Sequence, residues 1–348
     1  MAAVLGSIAY AVESSCAATE RLTAMSLQVV ITDCPWEDNS IERGILQEIG
    51  AETVRAQCAT PEEVIAAAKD ADALLVGWAP INRKAISELR RCRFMMRFGV
   101  GYENIDLKAA TEAGIAVANN PDYCVEEVAT HAVSFLLACH RQLAPLMHSV
   151  RSGEWDPLAV MWPTAQLREQ TAGLLGLGRI GRRVAEMVAS LVKTVLVYDP
   201  IVQSSGTDVA GVHFVSLHEL LQESDYLSIH APLTPETQHL FSDESLSRMK
   251  PASYLINCSR GAIVDEQALV RALEMKKIAG AALDVFSIEP LPMDHPLRRF
   301  PNVIITPHAA WYSERADYLL RANPARAVVR FFRGEPVALL NSPAPGKT

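Results

Sequence analysis

The sequence predicts an α/β protein of two domains, each built on a parallel sheet that helices cover on both faces. The chain has 348 residues, enough for two domain cores. Short apolar runs alternate with amphipathic segments from Leu27 to about Asn120, and the alternation restarts after Trp155 and Trp162. Continuous apolar runs are typical of strands that are buried on both faces, as in parallel sheets.

The first predicted domain follows a short N-terminal segment. We expect residues 1–24 to be an appendage outside the fold, because Met25 directly precedes the first credible strand. The predicted strands are Leu27–Thr32, Ala73–Gly77, Phe94–Phe98 and Ile115–Ala118. The amphipathic segments between them, predicted as helices, include Ile41–Ile49, Pro61–Ala68 and Arg83–Leu89.

The second predicted domain is longer. Its predicted strands are Ala172–Gly176, Thr194–Tyr198, Tyr226–His230, Tyr254–Asn257, Ala281–Asp284 and Val303–Thr306. A helix is predicted before them, at about Val125 to Gln142, and its apolar residues suit either a core helix or a dimer interface. A last helix is expected at about Ser313 to Arg330, and residues 341–348 are expected to form a flexible tail.

Composition excludes several classes of protein. With 49% hydrophobic and 21% charged residues the chain is not disordered. A net charge of −8 without a long like-charge block argues against a nucleic-acid surface, and no apolar run approaches the roughly 20 residues of a membrane helix. The seven cysteines are scattered, which fits reduced thiols in a cytoplasmic protein. No His/Asp cluster has the spacing of metal ligands.

The strongest motif is Gly173-Leu-Leu-Gly176-Leu-Gly178-Arg-Ile-Gly181, which follows an apolar strand and precedes an amphipathic helix. In the dinucleotide-binding fingerprint of Rossmann domains, the first glycine permits a tight turn and the second admits the pyrophosphate. The third lets helix and strand pack closely. These three glycines are Gly176, Gly178 and Gly181 in this chain. Asp199, 18 residues beyond Gly181, ends the next strand. Its carboxylate would accept hydrogen bonds from the ribose hydroxyls and repel a 2′-phosphate, which predicts NAD rather than NADP.

Three polar residues follow later strands of the second domain: Arg260, Glu289 and His308. Ligands bind beyond the carboxyl ends of parallel strands, so these side chains can converge on one cleft. Reduction of a 2-keto acid needs a cation for the substrate oxygens and an acid that protonates the forming alkoxide. A carboxylate beside the histidine would stabilise its protonated ring. Taken singly, each is equally consistent with a surface arginine, a turn glutamate or a strand-end histidine.

Several segments together resemble the D-isomer-specific 2-hydroxyacid dehydrogenase family, from about Leu27 to Glu335. They are Arg97-Phe-Gly99-Val-Gly101-Tyr-Glu-Asn-Ile-Asp106, Gly176-Leu-Gly178-Arg-Ile-Gly181, His230-Ala-Pro-Leu-Thr234, Asn257-Cys-Ser-Arg260-Gly-Ala-Ile-Val-Asp265-Glu, Ala281-Ala-Leu-Asp284-Val and Thr306-Pro-His308-Ala-Ala-Trp311-Tyr-Ser-Glu314. The last of these is similar to the branch that contains C-terminal-binding protein.

The resemblance implies a particular arrangement of two Rossmann-like or flavodoxin-like domains. A doubly wound NAD-binding domain, residues 123–311, is expected to be inserted in a smaller substrate-binding domain, residues 25–122 and 312–340. The two crossovers, near 121–125 and 311–314, would form a hinge that closes over substrate. A homodimer through the helix at about Val125 to Gln142 is also implied.

The resemblance also implies a role for individual residues. Arg260 would bind the substrate carboxylate and carbonyl, His308 would be the acid/base, and Glu289 would pair with His308. Asp284 would hold the nicotinamide carboxamide. The implied cofactor-binding residues are Gly176, Gly178, Arg179, Ile180, Gly181, Asp199, His230, Ala231, Pro232, Thr234, Cys258, Ser259, Arg260, Asp284, His308 and Ala310. The implied substrate-binding residues are Arg97, Gly99, Val100, Gly101 and Trp311.

The residues leave three functions open. The first is an NAD-dependent oxidoreductase acting on a small 2-hydroxy or 2-keto acid, without metal, membrane or direct nucleic-acid partner. The second is an NAD(H)-responsive protein-binding regulator similar to C-terminal-binding protein. The third is a phosphite-type dehydrogenase; a formate dehydrogenase is disfavoured, because those enzymes carry Gln where Glu289 stands. The chain departs from relatives at two positions: Glu103 stands where many of them carry Asp, and Val100 stands where corepressor relatives carry a small polar residue. Neither is a catalytic position.

Overall fold

A computed structural model describes residues 26–161, 163–206 and 209–343. The described residues form two compact units, residues 26–123 with 317–343 and residues 124–316. Each unit contains one sheet whose strands are all parallel, which confirms the predicted fold class. The appendage predicted at residues 1–24 lies outside the described residues.

The first unit has five strands: β1 (Gln28–Ile31), β2 (Glu52–Arg55), β3 (Ala73–Val76), β4 (Phe94–Arg97) and β5 (Ala116–Ala118). They are ordered β2-β1-β3-β4-β5. Its helices are α1 (Ser40–Leu46), α2 (Pro61–Ala68), α3 (Arg83–Glu88) and α4 (Leu107–Glu112). β2 and α4 were not predicted. β2 is a sheet edge whose residues are exposed or half-buried, so its sequence lacks the apolar run of a central strand.

The last helix, α13 (Glu314–Phe332), supplies its residues from Asp317 onwards to this first unit. Arg321 forms a buried ion pair with Glu42 of α1, with Nε–Oε1 and Nη2–Oε2 distances of 2.8 Å. Trp36 Nε1 donates to Asp317 Oδ1 at 2.8 Å, and the Arg321 guanidinium lies 5.1 Å from the Trp36 ring centroid. These contacts hold α13 against α1 and the loop that precedes it.

The prediction of a flexible tail is wrong at its first residue, Asn341. The Asn341 side chain accepts a hydrogen bond from Val117 N at 2.9 Å and donates to Ile115 O and Thr111 Oγ1 at 2.9 and 3.0 Å. Leu340 N donates to Val117 O. The chain therefore continues beyond α13 along β5, and only residues 344–348 of the predicted tail lie outside the described residues.

The second unit has seven strands: β6 (Thr171–Leu175), β7 (Thr194–Tyr198), β8 (His213–Phe214), β9 (Tyr226–Ile229), β10 (Tyr254–Asn257), β11 (Gly280–Leu283) and β12 (Val303–Ile305). They are ordered β12-β11-β10-β9-β6-β7-β8. Its helices are α5 (Val125–His140), α6 (Leu143–Arg151), α7 (Pro157–Met161), α8 (Arg179–Val188), α9 (Pro200–Ser204), α10 (Leu217–Glu223), α11 (Asp243–Arg248) and α12 (Glu266–Glu274).

The long helix predicted to reach Gln142 ends earlier. α5 stops at His140, because Gln142 adopts a left-handed backbone conformation with φ 48° that a helix cannot continue through. The chain then forms α6 and α7, which were not predicted, and neither was β8, a two-residue edge strand. Within the described ranges, no helix combines the length and apolar character needed to span a membrane.

Candidate active site

The glycine motif forms the turn between β6 and α8. Gly176 has φ +94°, and a Cβ there would lie 2.8 Å from the main-chain oxygen of His230. A Cβ on Gly181 would lie 2.2 Å from the Gly176 oxygen, so α8 could not pack as closely. A Cβ on Gly178, by contrast, would meet no described atom within 4 Å. The open face at Gly178, next to the first residue of α8, fits a pyrophosphate on the helix N-terminus.

Asp199 connects this turn to the end of β7. Its Oδ2 accepts a hydrogen bond from Leu177 N at 2.8 Å, and its Oδ1 accepts from Ile201 N and Val202 N at 3.0 and 2.9 Å. The carboxylate therefore caps α9 while it holds the glycine turn. An ionised carboxylate has about four acceptor sites. Three internal hydrogen bonds leave room for a ribose hydroxyl.

The predicted cofactor residues of two later loops lie together. Ser259 Oγ donates to the main-chain oxygen of Ala231 at 2.5 Å, which joins the loops after β10 and β9. In the β9 loop, Thr237 Oγ1 accepts from Thr234 N at 2.8 Å and donates to Pro232 O at 2.7 Å. Cys258 is buried, and burial raises the pKa of its thiol well above the ordinary value, so the sulfur stays protonated.

His308 and Glu289 form a direct pair. Glu289 Oε2 lies 2.7 Å from His308 Nδ1, and its Oε1 accepts from Phe286 N at 2.8 Å. Burial opposes ionisation of Glu289. The hydrogen bonds from His308 and Phe286, with the charge of Arg260, outweigh it and hold the pKa of the carboxyl below its ordinary value. Because ionised Glu289 can only accept, His308 donates from Nδ1, which leaves Nε2 for proton exchange with a ligand.

Arg260 lies within electrostatic reach of this pair, since its charge acts on Glu289. It follows β10, and its Nη1 donates to Ser259 O at 2.7 Å. A Cβ on Gly261 would lie 2.0 Å from the carbonyl carbon of Phe286, so the backbone after Arg260 contacts the backbone that leads to Glu289. The structure thus brings a guanidinium, a carboxylate and an imidazole together beyond β10, β11 and β12.

Residues 133–310, slightly more than half of the chain, match the family profile "D-isomer specific 2-hydroxyacid dehydrogenase, NAD binding domain". The chain belongs to this family. Among its relatives, a glyoxylate reductase of Korarchaeum cryptofilum is 39% identical over 285 residues, which cover 80% of this chain and 85% of that protein.

Two further similar proteins have names that give other substrates. A D-3-phosphoglycerate dehydrogenase of Methanocaldococcus jannaschii is 36% identical over 311 residues, which cover 89% of this chain but only 58% of that longer protein. Among solved structures, an NAD-dependent formate dehydrogenase of Staphylococcus aureus in complex with NAD matches with a TM-score of 0.80. It is 32% identical, and the match covers 92% of this chain and 100% of that one.

In this family member, Asp284 supports the loop that carries His308. Its main-chain oxygen accepts from His308 N at 2.8 Å, and its carboxylate oxygens accept from Ala309 N and Ala310 N at 2.8 and 2.9 Å. The carboxylate is buried, and its hydrogen bonds in the structure are made to this loop. The contact with the nicotinamide carboxamide stays a prediction.

Two residues beside Asp284 were not predicted. Thr306 Oγ1 donates to Asp284 Oδ1 at 2.5 Å, and His131 Nε2 lies 3.2 Å from the same hydroxyl. The available sequence signal was a histidine among the apolar residues of α5. That signal alone does not distinguish a histidine that is merely hydrogen-bonded within the core from one that acts on a functional site.

The residues predicted to bind substrate fall in both units of the chain. In the first unit, the Arg97 guanidinium lies 6.0 Å from the Trp78 ring centroid, and a Cβ on Gly99 would be 3.4 Å from its Nη1. Val100 O, in the segment that continues to Gly101, accepts from Asn119 Nδ2 at 2.6 Å. In the second unit, half-buried Trp311 packs edge to face with Tyr312 at 5.4 Å.

His230, one of the predicted cofactor-binding residues, gives this chain an acid-sensitive site. Its Nε2 is buried and has no hydrogen-bond partner among the described residues, and burial lowers the pKa of the ring to about 4. The unfolded chain takes up the proton near pH 6.5, whereas the folded chain does so only near pH 4. Stability from neutral His230 is therefore complete above about pH 6.5 and is lost as the pH falls toward 4.

We expect His230→Gln to reduce this acid sensitivity. Between about pH 7 and pH 5, the unfolding free energy of the wild type should fall by about 2 kcal/mol more than that of the variant. Urea unfolding at both pH values measures the difference. His218→Gln, which removes an exposed histidine, is the control and should behave like the wild type. Equal pH dependence in all three proteins would contradict the assignment.

Proposed function

We propose that the chain catalyses the NAD-dependent interconversion of a 2-keto acid and a D-2-hydroxy acid. The observation that carries this proposal is the 2.7 Å contact between His308 and Glu289, with the charge of Arg260 acting on the same carboxylate. The glyoxylate reductase and D-3-phosphoglycerate dehydrogenase relatives have names that fit this reaction class. Because those names differ in substrate, we propose the class and leave the acid to the assay.

Three side chains would have separate roles in the reduction. Arg260 binds the substrate carboxylate and polarises the carbonyl oxygen, where negative charge develops. The nicotinamide, when bound, supplies the hydride to C2. His308 gives the proton on its Nε2 to the same carbonyl oxygen, so that one hydride and one proton convert the keto acid to the hydroxy acid. Glu289 accepts from Nδ1 and stabilises the protonated ring, which regains its proton from solvent.

The cofactor would be held along the carboxyl ends of β6, β7, β9 and β10. Gly178 would leave space for the pyrophosphate, while Gly176 and Gly181 allow the tight turn and the close packing of α8. Asp199 would accept a hydrogen bond from the adenosine ribose. The loops after β9 and β10 are joined by the Ser259–Ala231 hydrogen bond. We propose that Arg97, Gly99, Val100, Gly101 and Trp311 contribute to substrate binding as the family resemblance implies.

We expect Asp199→Ser to relax the preference for NAD. The change removes the charge that repels a 2′-phosphate, but a serine hydroxyl can still accept from the N-terminal amides of α9. The ratio of NADPH to NADH affinity should rise about tenfold or more, a difference of about 1.4 kcal/mol. Fluorescence titration with both cofactors measures it. Glu223→Ser, an exposed acid of α10, should leave the ratio unchanged; an unchanged ratio in Asp199→Ser would remove Asp199 from the cofactor site.

The proposed activity is tested with purified protein, NADH and a panel of 2-keto acids of increasing size. Formate and phosphite with NAD form two further arms. We expect loss of NADH absorbance with at least one keto acid, and no NAD reduction by formate. Reduction of NAD by phosphite alone would replace the proposal with the phosphite reaction. NADH binding without any turnover would contradict the proposal and favour an NAD(H)-responsive binding protein of the C-terminal-binding-protein branch.

We also propose that the chain forms a homodimer in the cytoplasm. Apolar side chains of the α5–α7 region are exposed: Leu137, Leu143, Met147, Val150, Trp155 and Leu158. Exposed apolar side chains this close along the chain are typical of an interaction surface. The cysteines at 34, 58, 92, 124, 139 and 258 are free thiols, as in a reducing compartment. Sedimentation should give twice the 38.0 kDa chain mass; a monomer would contradict the dimer.

A further inference from the structure

His131 of α5 lies close to Thr306 and Asp284, two residues that are hydrogen-bonded in or to the loop that carries His308. His131 Nε2 lies 3.2 Å from Thr306 Oγ1 and 3.8 Å from Asp284 Oδ1. Its ring packs edge to face on Phe135, with centroids 4.4 Å apart, so the ring is fixed by its own helix. The His131 side chain is 25% exposed and that of Asp284 is 1% exposed, which places the contact at the edge of the interior.

The direction of the hydrogen bonds follows from the donors available. Thr306 has a single hydroxyl proton, and its short 2.5 Å contact with Asp284 Oδ1 uses that proton, because an ionised carboxylate only accepts. The hydroxyl oxygen must then accept from His131. His131 therefore carries a proton on Nε2, and the chain of donors runs from His131 to Thr306 and on to Asp284.

This series of hydrogen bonds ends at the backbone around His308. Asp284 accepts from the main-chain N–H groups of Ala309 and Ala310 through its carboxylate, and from that of His308 through its main-chain oxygen. His308 has φ +52°, in the left-handed region that residues with a side chain seldom adopt. Such a conformation persists only where the surroundings determine it, and Asp284 supplies three of the hydrogen bonds that do so.

We infer that His131 is a positioning residue for His308, which acts through Thr306 and Asp284. This inference rests on the proposed function, in which His308 exchanges the proton. His131 fixes the Thr306 hydroxyl, Thr306 and the loop amides fix the Asp284 carboxylate, and Asp284 holds the loop so that His308 keeps its contact with Glu289. His131 touches neither substrate nor reacting atoms in this arrangement.

The first test measures the contact between His131 and Thr306 without an activity assay. In protein labelled with ¹⁵N at histidine and free of ligand, long-range ¹H–¹⁵N spectra at mildly alkaline pH should show His131 with its proton on Nε2. In Thr306→Val the His131 Nε2 resonance should shift, because its acceptor is gone, whereas Thr306→Ser should keep it near the wild-type position. A bare Nε2 in the wild type would overturn the inference. This result does not depend on the substrate assay, so failure of the inference and failure of the proposed function can be told apart.

The second test separates positioning from packing. His131→Phe keeps a ring but has no donor, whereas His131→Gln keeps an N–H in reach of Thr306. We expect kcat of His131→Phe to fall about tenfold or more, with KM for the keto acid and NADH affinity changed much less, and His131→Gln to recover most of the loss. Thr306→Val and Thr306→Ser form a second pair with the same expectation. Equal kcat in the members of both pairs, or losses carried by NADH affinity instead of kcat, would overturn the inference.

Discussion

Replacement of His308 by asparagine is expected to lower kcat by about a thousandfold while NADH still binds. Only the proton donor is lost, because the predicted cofactor-binding glycines, Asp199 and the loops after β9 and β10 stay in place. Asparagine is chosen because it tolerates the left-handed backbone at this position, where φ is +52°. NADH oxidation with the best keto acid measures kcat, and fluorescence titration measures NADH affinity.

The matched control is His213→Asn, which changes an exposed histidine of β8 in the same unit. It should retain wild-type kcat. A His308→Asn protein that keeps a tenth or more of the wild-type kcat would show that another group supplies the proton. Loss of NADH affinity in parallel with kcat would show that His308 supports the cofactor site instead.

Gly261→Ala is expected to have the largest effect of any single methyl group in this site. The new Cβ would lie 2.0 Å from the carbonyl carbon and 2.4 Å from the Cα of Phe286, so one of the two backbones must move. Phe286 N donates to Glu289, and the displacement would therefore pull the carboxylate from His308. We expect the unfolding free energy to fall by about 3 kcal/mol and kcat by about a hundredfold.

Urea unfolding and steady-state kinetics measure the two losses, and Gly44→Ala supplies the comparison. Gly44 lies inside α1, where a Cβ would meet no described atom within 4 Å. Alanine is favoured over glycine in a helix by about 1 kcal/mol, so this change should be neutral or stabilising. A Gly261→Ala protein that behaves like Gly44→Ala would contradict the close backbone contact at Phe286.

The sequence predicted the central strands because each is a short apolar run, as at Ala73–Val76, where all four residues are buried. It did not predict β2 or β8, since both are sheet edges without such a run. The end of α5 was not predictable either, because nothing in the sequence indicates that Gln142 adopts a left-handed backbone conformation. Asn341 was assigned to a tail because local composition carries no information on its side-chain contacts with β5.

The candidate site was predictable where residues follow strands that the sequence predicts. Arg260 and His308 stand at such positions, and the glycine spacing at residues 176–181 fixes the turn. What could not be predicted is the set of hydrogen bonds behind these residues. His131 and Thr306 are 175 residues apart and meet only in the folded chain. Asp199 was predicted to face the cofactor, whereas its three internal hydrogen bonds become visible only with the structure.

Arg260, Glu289 and His308 are proposed to direct a hydride to C2 of a 2-keto acid and a proton to its oxygen. The most direct measurement incubates the protein with NADH deuterated at the transferred position and the best keto acid, followed by chiral separation and mass spectrometry of the product. We expect the D-2-hydroxy acid, with one deuterium at C2. Recovery of the L-isomer, or of a product without deuterium at C2, would contradict the claim.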